Sequence, residues 1–208
     1  PTGSTPGEAR ERLRSAQRRL SFDEFLTLQL GLLQRKQGWQ EEPGNALSVP
    51  AERIRHFISA LPFALTEAQT RALRAIVRDM ASPMPMTRLL QGDVGSGKTA
   101  VAALGALGAL GSGDQGAIMT PTELLAEQHY KSLPKLFAGL PESERPKLGL
   151  ITGSSNASER RAVNAAIASG ECQIVVGTHA LIQDGVSFRR LGFAVIDEQH
   201  RFGVDQRS

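Results

Sequence analysis

Eight consecutive residues carry the first chemistry in the chain. Gly92, Asp93, Val94, Gly95, Ser96, Gly97, Lys98 and Thr99 fit the spacing G-x-x-x-x-G-K-[ST]. Glycines let a backbone curl close to a polyphosphate and turn its N–H groups inward. A lysine at position 98 suits the outer phosphates, and a hydroxyl at Thr99 suits a Mg²⁺ ion. Leu89 and Leu90 precede the run, and an apolar-rich stretch over residues 100–110 follows it. That order implies strand, loop, helix, with the positive N-terminal end of the helix at the anion. The run therefore predicts a site for a nucleoside triphosphate and Mg²⁺.

A second constellation supplies the acids such a site needs. Residues 193–196 are apolar and deliver Asp197 and Glu198 at their C-terminal end. In an open α/β sheet, ligands sit outside the carboxyl ends of the strands. Asp197 is suited to hold Mg²⁺ and its waters, and Glu198 to accept a proton from an attacking water. Paired with the glycine-rich loop, the two acids change the expected chemistry from binding to hydrolysis, with Lys98, Asp197 and Glu198 as the catalytic set.

These residues need a scaffold that brings distant segments together. Helical patterns cover residues 8–37, 51–61, 66–82, 98–110, 122–137 and 157–168, with Ser21 and Glu24 forming a capping box inside the first. Strand candidates are residues 87–90, 116–120, 148–151, 173–176 and 193–196. Several are apolar without polar alternation, as expected when helices cover both sheet faces. Strands alternating with helices predict an α/β fold with a mostly parallel sheet, preceded by a helical segment. Residues 38–50 read as a linker, with a turn-forming centre that includes Glu42 and Pro43.

Composition narrows the setting. Cys172 is the lone cysteine of 208 residues, which fits a reducing cytoplasm and, being next to Ile174, Val175 and Val176, a buried thiol. Apolar runs are too short and broken for a membrane span, and no leader is visible. Cys and His lack zinc spacing. The net charge is +3, with Arg10, Arg12, Arg14, Arg18 and Arg19 crowded together. That cluster suits a solvated helix face balanced by Glu8 and Glu11, or a phosphate backbone.

Asp197, Glu198, Gln199 and His200 resemble motif II of superfamily 2 helicases. The continuation over residues 201–207 is similar to the RecG family of bacterial DNA helicases. Residues 63–69, 89–99, 120–129, 152–154 and 177–183 resemble further blocks of that family in order and spacing. The resemblance covers about residues 20–208. The transcription-repair coupling translocase has a related first lobe, from which Gln199 departs.

The resemblance implies a RecA-like P-loop lobe using ATP and Mg²⁺ and acting on branched or double-stranded DNA. It implies adenine recognition by Gln69, although Gln69 also completes a helix capping box with Thr66. Thr120, Thr122, Thr178 and His179 become candidates for the DNA backbone, with Thr122 equally suited as an N-cap. His129 reads as a packing or surface residue, and His200 as a link to a partner lobe. The implied organisation is a flexible basic segment over residues 1–20, a helical linker over 21–60 and an incomplete first motor lobe over 61–208. A second RecA-like lobe with its arginine finger, and an upstream DNA-binding wedge, are expected outside these 208 residues. Two other classes stay open: a P-loop enzyme acting on a small molecule, and a nucleotide-gated module without turnover.

Overall fold

A computed structural model of the chain describes residues 6–41, 44–182 and 185–198. Gln199, His200 and residues 201–207 of the motif II continuation lie outside the described residues, as do Gln183, Glu42 and Pro43. The chain divides into two units, Pro1–Pro43 and Gly44–Ser208.

The first unit contains α1 (Pro6–Glu41). This helix runs unbroken through Ser21 and Glu24, so the expected capping box there does not form. The stretch ahead of Ser21 is rich in Arg, with Leu, Ala and Glu, all good helix formers, and offers no breaker to stop the helix. Phe22, Phe25, Leu28 and Leu32 lie on the surface of α1.

Among its described residues the second unit has four strands: β1 (Gln115–Met119), β2 (Leu148–Ile151), β3 (Ile174–Gly177) and β4 (Leu191–Ile196). Their order is β2-β3-β1-β4, and every pairing is parallel. Around them lie α2 (Ala51–Ser59), α3 (Glu67–Met80), α4 (Lys98–Leu110), α5 (Glu123–Leu136) and α6 (Ala157–Ser169). Side-chain alternation along a strand sorts the core into two layers. Ile118, Ile174, Val176 and Phe193 join α2 to α5 on one face. Ala117, Met119 and Val175 join Ile167 of α6 with Ala180 and Leu181 on the other. The structure is thus α/β with both sheet faces covered, as the unalternated strands predict.

α4 is buried from Ala100 to Ala109 except at the half-buried Ala102. Small residues allow this close seating. A Cβ at Gly105 would meet the Phe193 ring, and one at Gly116 would press on Ala106. The start of β1 is pinned by polar groups. Gln115 donates to the carbonyls of Ile167 and Cys172 at 2.9 and 2.7 Å, and its own carbonyl accepts the Arg190 N–H at 3.1 Å. Asp114, buried beside it, takes two bonds from the Arg190 guanidinium at 3.0 and 3.1 Å.

Two expectations need correction. Residues 87–90 form no strand, although Leu89 and Leu90 are apolar. Met86 and Leu90 pack on the core without a ladder, and Arg88 reaches instead to Asp79 at 2.6 Å. β4 accordingly ends the sheet among the described residues. The expected linker is also partly structured. α1 continues past Gly38 to Glu41, and the segment from Gly44 is tied down by Gly44 N–H on Pro83 O and Leu47 N–H on Met80 O. Leu47 is buried in the core.

Candidate active site

Parallel pairing puts all four strands' C-terminal ends on one edge. Met119 of β1 stands level with Gly177 of β3 and Ile196 of β4, and Gly177 with Ile151 of β2. The next residues are therefore Thr152, Thr178, Thr120 and Asp197, in a row. Backbone bonds continue the ladder into the row. Thr120 N–H donates to Gly177 O and Asp197 N–H to Met119 O, both at 2.8 Å.

The glycine-rich loop bridges to α4 through an exposed turn. Gly95 and Gly97 sit at φ of 80° and 78°, the left-handed region where a Cβ is costly. At Gly97 a Cβ would also strike the Gln69 amide. The Lys98 ammonium folds back onto the carbonyls of Gly92 and Asp93 at 2.6 and 2.9 Å. Thr99 follows on the first turn of α4. Gln69 completes the capping box with Thr66, accepting the Thr66 N–H at 2.8 Å, while its NH₂ donates to Ser96 O at 2.8 Å. The capping-box role of Gln69 is thus filled, and the same amide also braces the loop.

Asp197 is three-tenths exposed, and both its oxygens are engaged. Oδ2 meets His129 Nε2 at 2.8 Å, and Oδ1 accepts the Glu198 N–H at 3.0 Å. The His129 hydrogen bond holds the carboxyl below its ordinary range against the opposing effect of burial, with help from the charges of His129 and Lys98. Glu198 adopts φ of 51°, a left-handed conformation unusual for a side-chain-bearing residue, so β4 turns sharply at the acids.

The residues fit Mg²⁺. One carboxylate is held ionised near the Lys98 charge, and Thr99 supplies a hydroxyl. Mg²⁺ is usually bound by one or two carboxylates together with nucleotide phosphates.

The candidates for a phosphate backbone separate into two kinds. Thr120 and Thr178 are buried, at 0% and 2% exposure, and face inward. The Thr120 hydroxyl donates to Thr122 O at 3.0 Å, and Thr178 Oγ1 accepts the Ala180 N–H at 3.4 Å. These two shape the loops from beneath. Thr122 and His179 are exposed, although Thr122 also caps α5 by accepting the Leu125 N–H at 3.3 Å.

Two residues in this region escaped sequence reasoning. His129 meets Asp197 because α5 carries it on the same face as the buried Ala126 and Leu133. A lone histidine on an apolar helix face was the available signal. Glu123 accepts the Ser154 N–H at 2.9 Å and so joins the start of α5 to the loop after β2. Ser154, chiefly through its side chain, lowers the Glu123 carboxyl from its ordinary value, and the nearby His179 charge adds to this.

Comparison with known proteins agrees with this geometry. Residues 66–208 match the DEAD/DEAH box helicase family. The chain is 49% identical over 204 residues to the ATP-dependent DNA helicase RecG of Synechocystis sp., covering 97% of this chain and 24% of that protein. It is 50% identical over 201 residues to the RecG of Bacillus subtilis, covering 96% and 29%. A solved structure of RecG bound to a three-way DNA junction matches 92% of this chain and 26% of that one, with a TM-score of 0.83 and 41% identity. The chain thus spans about a quarter of the length of these relatives.

Proposed function

Because the chain belongs to the DEAD/DEAH box helicase family, we propose that it is the ATP-binding lobe of a DNA helicase or translocase of RecG type. In this reading the protein works in the cytoplasm and remodels branched DNA, such as stalled replication forks and Holliday junctions, in recombination and repair. Residues 44–208, whose core includes Leu47, Ile54 and Phe57, are most of the first motor lobe, and the basic helix α1 links it to a DNA-binding wedge. A second RecA-like lobe of the full-length protein supplies the arginine finger.

One observation carries the reading above others. The edge that carries Asp197, on which the Lys98 charge bears, also leads through neighbouring strand ends to the exposed Thr122 and His179. Nucleotide chemistry and a sequence-neutral phosphate face therefore share one sheet edge. The length and identity of the RecG relatives support the rest.

Each side chain then has a task. Lys98 leaves the loop carbonyls for the outer phosphates. Thr99 and Asp197 hold Mg²⁺, which when bound neutralises phosphate charge. Glu198 takes the proton of the attacking water. Gln69 meets the adenine edge with an amide able to donate and accept. Thr122, His179 and nearby backbone N–H groups take DNA phosphate oxygens, which fix position without reading sequence. Thr120 and Thr178 keep those loops in shape.

The test uses the full-length protein on forked DNA. Lys98→Ala loses ATP binding, hydrolysis and unwinding. Glu198→Gln still binds ATP but lowers kcat by about 10²–10⁴-fold, as loss of a general base does. If Glu198→Gln leaves turnover and unwinding near wild type, the proposed role of the acid pair is overturned.

A further inference from the structure

His129 enters none of these steps, yet it touches the acid on which they depend. It lies two turns into α5, and its side chain is 14% exposed. Its Nε2 is 2.8 Å from Asp197 Oδ2. An ionised carboxylate only accepts, so Nε2 carries the proton and donates. The other Asp197 oxygen is held by the Glu198 N–H of its own turn. The carboxylate is therefore gripped from two directions, by a separate helix and by the backbone that follows. Each oxygen keeps a further lone pair for a cation.

The grip matters because of where Asp197 stands. β4 ends the sheet among the described residues and pairs on one side, with β1. Asp197 follows it into a turn strained at Glu198. Neither a second strand nor a relaxed turn fixes the carboxylate plane, whereas α5 is anchored in the core through Ala126 and Leu133, both fully buried. A side chain from such a helix can set the orientation of a metal-holding acid, as outer partners commonly do.

We propose that His129 is a positioning residue, holding the Asp197 carboxylate in the orientation that receives Mg²⁺ with the nucleotide. This rests on the ATP site proposed above. His129 makes no contact with metal or nucleotide, and its effect is confined to the metal-dependent part of binding. Loss of the loop's phosphate contacts would weaken binding with or without metal, so the two effects are separable.

The experiment measures the affinity of the full-length protein for a fluorescent ADP, once in Mg²⁺ and once in EDTA. The readout is the ratio of the two dissociation constants. In His129→Ala the advantage conferred by Mg²⁺ falls about 10-fold, the lower end for loss of an outer-shell partner, and the EDTA affinity stays within about twofold. His129→Gln, which can still donate to Oδ2, recovers most of the advantage. Should His129→Ala fail to fold, His129→Met keeps the buried volume, removes the donor and reads the same ratio. A Mg²⁺ advantage equal to wild type in both apolar variants overturns the proposal. So does an equal loss in Mg²⁺ and EDTA, which would mark a purely structural contact. Equal wild-type affinity in Mg²⁺ and EDTA would overturn this inference alone, whereas no binding by the wild type in either condition would overturn the nucleotide site itself.

Discussion

Gln69 uses both ends of its amide inside the chain, one on Thr66 N–H and one on Ser96 O. Its donor half therefore braces the nucleotide loop before any ligand arrives. Gln69→Glu keeps the acceptor for Thr66 and removes the donor. Stability should fall by under about 1 kcal/mol, the worth of one exposed hydrogen bond, and ATP affinity by about 3- to 10-fold. Calorimetry with and without nucleotide separates the two effects. A stability loss with unchanged affinity would remove the amide from the site. Cys172 gives the contrasting case of a chemically quiet residue. Burial, with the Glu171 charge second, pushes its thiol up to about 11. At pH 8 roughly one molecule in a thousand carries the reactive thiolate, so Ellman's reagent should react slowly with the folded chain and fast in urea. The apolar neighbours of Cys172 made that burial legible in the sequence. The tie between His129 and Asp197 was not, because it joins residues 68 apart in the chain through a helix–strand packing that no local pattern encodes.

Local patterns served helices better than strands. α4 begins and ends where the loop and its apolar run predict, at Lys98 and Leu110, since Gly97 and Gly111 flank a stretch of Ala and Leu. β2 likewise occupies the expected residues 148–151. The failure at residues 87–90 has a physical cause: a strand exists only when a partner ladder forms, and pairing is not written in one short apolar run. Besides the packing of Met86 and Leu90, an ion pair ties that segment to α3. Arg88 lowers the Asp79 carboxyl from its ordinary value, by a hydrogen bond at 2.6 Å first and charge second. A depressed carboxylate contributes stability above its unfolded pKa and loses it as pH falls through the folded one. Arg88→Gln should therefore lower stability near pH 7 by up to about 1 kcal/mol, both partners being partly exposed. The difference from wild type should shrink in denaturation curves as pH falls below the ordinary aspartate range and Asp79 becomes protonated in the folded chain too. A difference that persists there would assign the effect to packing of the arginine stem.

At the scale of the whole molecule, the described part gathers binding and proton-accepting groups but holds few groups that could stabilise charge on a transferring phosphoryl. Lys98 is the cation nearest the loop carbonyls, and the charge of Lys98 already bears on Asp197. In P-loop motors an arginine from a facing lobe is worth about 10³–10⁵ in rate. The 208 residues correspond to about a quarter of the RecG relatives. The family resemblance, legible in the motif blocks, carried the expectation of a second lobe, which folding of this lobe does not require: its core closes on both sheet faces with its own helices. Expressed by itself, the 208-residue chain should therefore fold cooperatively and bind Mg²⁺ with ATP. Its turnover should lie at least about 10³-fold below that of the full-length protein and should not respond to forked DNA. Single-turnover hydrolysis by both proteins, at saturating ATP with and without forked DNA, decides the matter. DNA-stimulated turnover by the isolated chain within tenfold of the full-length rate would mean that the charge-stabilising group lies inside these residues, and the two-lobe mechanism would have to be abandoned.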